Sequence, residues 1–166
     1  MGLRVDIERE LARLDALSPS GFAIAFHVRF TTASYQLQSY PEDWLDVYSK
    51  EGLVMQDPIV GFGFEQTGWT RWSDLAQNDP GGVLDRARAF GLAYGVAIAV
   101  DDNDSRTVAG LARPDREFTD KEIEEVERII RSLHDLTLDS GSMSEKARDE
   151  LKRLSVRLTH HKPASK

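Results

Sequence analysis

An alternation from Phe22 to Phe30 constrains this chain more than any other feature. Phe22, Ile24, Phe26, Val28 and Phe30 interleave with Ala23, Ala25, His27 and Arg29. Successive side chains of a strand point to opposite faces, so the run is a strand with one large apolar face. The large face must meet a core. The small-residue face, which also carries His27, either lies under a helix or lines a cavity. Tyr35 to Ser39 reads as the hairpin partner, across Thr31-Thr32-Ala33-Ser34.

The remaining pattern supplies helices for both faces. Val5 to Leu17 places Ile7, Leu11 and Leu14 on one side, and Ser18-Pro19-Ser20-Gly21 closes it. Pro41 is expected at the first position of a second helix, which ends at Gly52 as a left-handed cap. Asp57-Pro58 reads as N-cap and first residue of a third helix. Gly68 to Trp72 is a short strand, and Asp79-Pro80 is expected to start the helix Val83 to Phe90 in the same manner, with Gly91 ending it. Tyr94 to Val100 and Thr107 to Ala112 form a hairpin across the polar run Asp101 to Ser105.

Thr119-Asp-Lys-Glu122 is a capping box, and the helix behind it carries Ile123, Val126, Ile129, Ile130, Leu133 and Leu136 on one side. The predicted fold is an α/β/α sandwich, with a roughly five-stranded antiparallel sheet covered by helices on both faces. Residues 1–138 form this domain, 139–143 a linker, and 144–166 a further helix and tail. In that helix Ala147, Leu151, Leu154 and Leu158 make a stripe that fits a dimer seam or a docking face.

Composition narrows the function classes. The chain has 166 residues, no cysteine and a net charge of −7. Thiolate chemistry and disulfides are excluded, and the acidic balance argues against gripping nucleic acid through this chain. No stretch approaches twenty apolar residues and the N-terminus has no signal-peptide core, so no membrane partner and a cytoplasmic home are expected.

Between Tyr40 and Trp72 lies the densest aromatic stretch, YPEDWLDVYSKEGLVMQDPIVGFGFEQTGWTRW. Tyr40, Trp44 and Tyr48 fall four residues apart, which on a helix is a single stripe. Asp57 follows, then Trp72. Apolar walls with few polar groups are the composition of a small-molecule pocket. A packed aromatic core has the same composition, and Asp57 before a proline is also explained as a helix cap. His27 reads as a satisfied structural histidine, Asp101 to Asp104 as a solvated turn, and His160-His161 as a tail pair too small for a designed metal site.

The pattern YPxxW-x3-Y-x8-DP-x13-W, followed by Ala-Phe-Gly-Leu-Ala-Tyr-Gly-Val at Ala89 to Val96, resembles the autoinducer-binding domain of LuxR-type quorum-sensing regulators. The likeness covers about residues 5 to 138. It implies an N-acyl homoserine lactone as the ligand, no cofactor and no metal. Asp57 would accept from the ligand's amide N–H, a charge-assisted bond of about 1.5–3 kcal/mol. Trp44, a donor only, would reach the lactone carbonyl, and Tyr40 the acyl carbonyl. Tyr48 and Trp72 would pack on ring and chain, and each buried methylene of the tail would add about 0.8 kcal/mol. Polar helpers of some relatives are replaced here by Ile59 and Ala112, so a 3-oxo group finds fewer donors and an unsubstituted or aryl acyl group is favoured.

The resemblance also implies a homodimer and DNA binding only in a full-length context. Met143 to Leu151 resembles the opening of a helix-turn-helix module, with no recognition helix in this chain. The alternative is a receptor-like interaction protein that heterodimerises with a full-length regulator and modulates it. An enzyme such as a lactone hydrolase is not expected: there is no cysteine, no metal-spaced histidine cluster and no Gly-x-Ser-x-Gly elbow.

Overall fold

The structure is a computed structural model, which describes residues 2–29 and 33–138, with side chains from Val5 onward. Phe30, Thr31, Thr32, the 139–143 linker, the helix after Ser144 and the His160-His161 pair lie outside the described residues. The elements run α1 (Gly2–Leu17), β1 (Gly21–Val28), β2 (Tyr35–Gln38), α2 (Glu42–Lys50), α3 (Pro58–Glu65), β3 (Gly68–Arg71), α4 (Trp72–Leu75), α5 (Val83–Arg88), β4 (Tyr94–Asp102), β5 (Ser105–Arg113) and α6 (Asp120–Leu136). A 3-10 turn over Leu53–Gln56 joins α2 to α3.

The sheet is antiparallel throughout, in the order β2-β1-β5-β4-β3. Register aligns Ile24 with Leu37, Phe22 with Leu111 and Val96 with Leu111. The large side chains therefore share one face, where they bury against Leu11 and Leu14 of α1 and Val126, Ile130 and Leu133 of α6. Ion pairs Arg13–Glu125 and Arg128–Glu10 join the two helices across the outer surface. The capping box is formed in full: Thr119 and Glu122 each accept from the other's backbone N–H. The α/β sandwich is as the pattern predicts.

The opposite face carries small residues. Gln38, Ala23, Gly110, Ala97 and Thr70 make one row straight across the five strands. Helices α2 to α5 cover this face through a second apolar cluster that includes Tyr40, Trp44, Trp72, Leu84 and Ala112. Because the floor is small and the roof aromatic, the layers meet at their edges and leave room between them.

Four local expectations are corrected. Pro41 is the N-cap of α2, with φ −55° and ψ 140°, rather than its first residue, so Tyr40 precedes the helix. Trp72 opens α4 instead of ending the strand. Asp79 caps α5 from a distance: its carboxylate accepts from Val83 and Leu84 N–H, while Gly82, left-handed at φ 64°, is the N-cap. The β1 alternation breaks at His27, where φ is 53° and pairing with β5 slips. That bulge turns His27 to the α6 side, against the expectation that it shares the small-residue face. There it is satisfied by Ser105 Oγ at 2.6 Å and Thr137 Oγ1 at 2.8 Å.

Candidate functional site

The room between floor and roof is a cavity of about 210 Å³. Ala23, Ala25, Val108 and Gly110 form its floor, and Gln36 and Gln38 of edge strand β2 flank one side. Tyr40, Trp44 and Tyr48 come from the α2 segment, Asp57 and Ile59 from the start of α3, Trp72 from α4, and Leu84 and Ala87 from α5. All five residues singled out in the sequence meet around this one space. Trp44 and Tyr48 sit one turn apart on α2, their rings edge to face at 5.8 Å. Trp44 also packs on Phe90 at 5.4 Å.

Asp57 holds two roles at once because its oxygens divide them. Oδ1 accepts from Ile59 N–H at 2.8 Å and caps α3. Oδ2 accepts from the Tyr48 hydroxyl at 2.7 Å. Burial pushes the Asp57 carboxyl above its ordinary value of 3.8, and the nearby Asp79 charge adds to this. Tyr48 and the N–H groups of Ile59 and Val60 oppose the shift by binding the ionised form. Tyr40 and Tyr48 are both driven upward, first by burial and then by the Asp57 charge. Their hydroxyls therefore stay protonated and act as donors.

Trp72 is 4% exposed, and its Nε1 has no hydrogen-bond partner. Indole can only donate, and an unmet buried donor costs about 1–3 kcal/mol. The ring packs closely against Gly95. A Cβ at Gly95 would overlap its Cδ2, Cε2 and Cε3 atoms. Gly110 lets the roof approach the floor closely: a Cβ there would stand 3.0 Å from the Tyr40 hydroxyl and 3.6 Å from Trp72 Cζ2. The cavity thus offers one half-buried acidic acceptor, Asp57, and the donors Tyr40 and Trp44 within an apolar shell.

Residues 17–140 match the family model of the autoinducer binding domain. The chain belongs to the autoinducer-binding domain family. That domain is the sensor of LuxR-type quorum-sensing transcriptional regulators. No curated protein sequence gives a match. Among solved structures, the N-acylhomoserine lactone dependent LuxR family transcription factor CepR2 from Burkholderia cenocepacia shares 19% identity at a TM-score of 0.62, covering 82% of this chain and 90% of its own. Escherichia coli SdiA shares 18% at 0.63, covering 89% and 71%. SdiA in complex with octanoyl-rac-glycerol shares 16% at 0.58, covering 98% and 84%.

Some residues lining the cavity of this autoinducer-binding domain escaped the sequence reading. Gln36 and Gln38 alternate with Tyr35 and Leu37, so the two-residue period alone could have placed them on the small-residue face. Val108 and Gly110, not Ala112, are the β5 positions that border the cavity; Ala112 pairs with Gly95, one row away. No group of metal-ligating side chains occurs among the described residues.

Proposed function

We propose that this autoinducer-binding domain takes an N-acyl homoserine lactone into the cavity between sheet and helices. One observation carries the reading: Asp57, a half-buried acceptor, and the donors Trp44 and Tyr40 border one apolar space. The ligand has the complementary set, an amide N–H for Asp57 and carbonyl oxygens for Trp44 and Tyr40. Tyr48 holds Asp57 in place from behind. A volume of about 210 Å³ exceeds the roughly 150 Å³ that admits benzene, and suits a lactone head with a short acyl chain. In a complete regulator, seating the ligand stabilises this domain, and a dimer carries the signal to DNA through another part of the protein. Such a regulator works in the cytoplasm.

Thermal unfolding with a panel of acyl and aryl homoserine lactones tests this. At a hundredfold excess over Kd, a lactone that binds only the folded state adds about 2.7 kcal/mol of stability. Octanoyl-rac-glycerol belongs in the same panel, because an SdiA structure holds it. A response to that compound with none to any lactone would mean an acyl ligand of another class.

A further inference from the structure

On the sheet face opposite the cavity, a polar cluster ties four elements together at the end of α6. His27 of β1 and His134 of α6 are both buried, with ring centroids 4.6 Å apart. Two hydrogen-bond chains run through them. In one, Ser105 Oγ meets His27 Nδ1 at 2.6 Å, and His27 Nε2 meets Thr137 Oγ1 at 2.8 Å. In the other, Thr107 Oγ1 meets His134 Nδ1 at 2.7 Å, and His134 Nε2 meets the Asp102 carbonyl at 3.1 Å.

The ends of the two chains fix the protons. A carbonyl only accepts, so His134 bears its hydrogen on Nε2 and Thr107 donates to Nδ1. Thr137 directs its hydroxyl hydrogen to the Leu133 carbonyl at 2.7 Å. It therefore accepts from His27 Nε2, and Ser105 donates to Nδ1. Both imidazoles are neutral, and a second proton on either meets a hydroxyl that is already donating. Among the described residues, neither ring is hydrogen-bonded to a carboxylate that would balance the charge. Asp101 pairs with Arg106, the Asp102 carboxylate accepts from Asn103 N–H, and Arg29, Asp104 and Asp135 are exposed. Arg131 pairs with Glu127 on α6, while on α1 Asp6 pairs with Arg9 and Glu10 with Arg128. Burial and then the proximity of His134 hold the His27 pKa below 6.5.

What the cluster holds is the last turn of α6. Upstream, Val126, Ile129, Ile130 and Leu133 are buried in the apolar core and need no polar anchor. Beyond Leu133 the hold changes: His134 and Thr137 bond the sheet, and Leu136 is only partly buried. The final backbone bonds run from Thr137 N–H to Leu133 and from Leu138 N–H to Asp135. Ends with few buried apolar contacts open at low cost. We infer that the His27–His134 cluster is an acid-operated latch: proton uptake there releases the last turn of α6 from the sheet and leaves the body of the helix in place. The inference does not depend on which ligand the cavity takes.

Amide hydrogen exchange followed by NMR between pH 7.5 and 5, each rate corrected for its intrinsic pH dependence, tests this on the full chain. Protection of the Thr137 and Leu138 amides should fall about tenfold per pH unit below 6.5, because opening takes up one proton. Protection of Val126 and Ile130 should change by less than about twofold over the same range. The double variant His27→Asn/His134→Gln has no imidazole in the cluster and should lose this pH dependence. Should that variant fail to fold, the ring ¹⁵N shifts of the unaltered protein still answer. At pH 7.5 both rings should bear their hydrogen on Nε2, and acid titration of His27 should coincide with the loss of protection at Thr137. Protection at Thr137 that does not change with pH, or that falls equally along the whole of α6, overturns the inference. So does a pH dependence that persists in the double variant, or a His27 titration that leaves Thr137 protected.

Discussion

The Tyr48 hydroxyl donates to Asp57 Oδ2 at 2.7 Å, while the other oxygen of that carboxylate caps the helix that follows it. The cap and the cavity acceptor are thus a single residue, which separates the effects of two substitutions. Asp57→Asn keeps an oxygen for Ile59 N–H, and asparagine is as good an N-cap as aspartate. It also removes a charge whose burial is unfavourable. The free variant should melt within about 1 kcal/mol of wild type, or above it. Its response to lactone should be strongly reduced, because a charge-assisted acceptor has become a neutral one. Thermal unfolding with and without ligand measures both quantities, and an undiminished ligand response would remove Asp57 from the proposed contact set.

Tyr48→Phe should behave differently. The free domain loses a donor to a half-buried carboxyl group, a cost of about 1–2 kcal/mol near pH 7.5. Since Tyr48 holds the Asp57 carboxyl down against burial, its removal lets that carboxyl rise further. The destabilisation should shrink toward pH 4, where the carboxyl is increasingly protonated and the lost bond matters less. A penalty that stays constant across this range would mean the hydroxyl acts by packing alone.

Helix α3 contains two glycines with opposite expectations. Gly61 is exposed, and a Cβ there would meet nothing within 4 Å. Gly61→Ala should stabilise by about 0.5–1 kcal/mol, through the narrower freedom of the unfolded chain. Gly63 is buried on Val108, and an added Cβ would overlap both Val108 methyls. Gly63→Ala should destabilise by about 1–3 kcal/mol, as other overpacked sites do. It should also weaken ligand binding, because Val108 belongs to the cavity floor. Chemical denaturation of the two variants side by side tests the close approach of α3 to the sheet.

The parts of this fold that were legible are those fixed within a few residues. Thr119 and Glu122 announce a helix start because the capping box is local. Asp57-Pro58 does the same. Asn103 and Asp104, both with positive φ, make the tight turn that their polar run predicts. The aromatic spacing from Tyr40 to Trp72 was enough to assemble one side of a cavity. What escaped depends on partners distant in the chain. The β1 bulge exists because Thr137 and Ser105 hold a side chain more than seventy residues away, which no window around His27 contains. Which β5 residue reaches the cavity depends on sheet register, and so Gly110 could not be told from Ala112. Trp72 was legible as a pocket residue, but its unmet N–H emerges only once Gly95 is beneath the ring.

The two faces of the sheet should respond to pH in opposite directions. On the α6 side His27 is buried between Ser105 and Thr137, its ring 4.6 Å from that of His134. Burial and then the proximity of His134 lower its pKa from 6.5. A depressed histidine favours the neutral form in the folded state, so its contribution is present above about pH 6.5 and is lost as pH falls below it. On the cavity side the raised Asp57 carboxyl has the reverse sign. Its contribution is present below 3.8 and is lost as pH rises through its folded value. Curves of unfolding free energy against pH should therefore converge differently with wild type. His27→Asn tolerates the positive φ but loses ring contacts, and should cost about 1–2 kcal/mol at pH 7.5. That deficit should narrow between pH 6.5 and 5, because the variant has no buried imidazole to charge. Asp57→Asn should gain on wild type as pH rises from 4 to 7. A His27→Asn deficit that does not change below pH 6.5 would show that the imidazole is not the group that weakens the fold in acid.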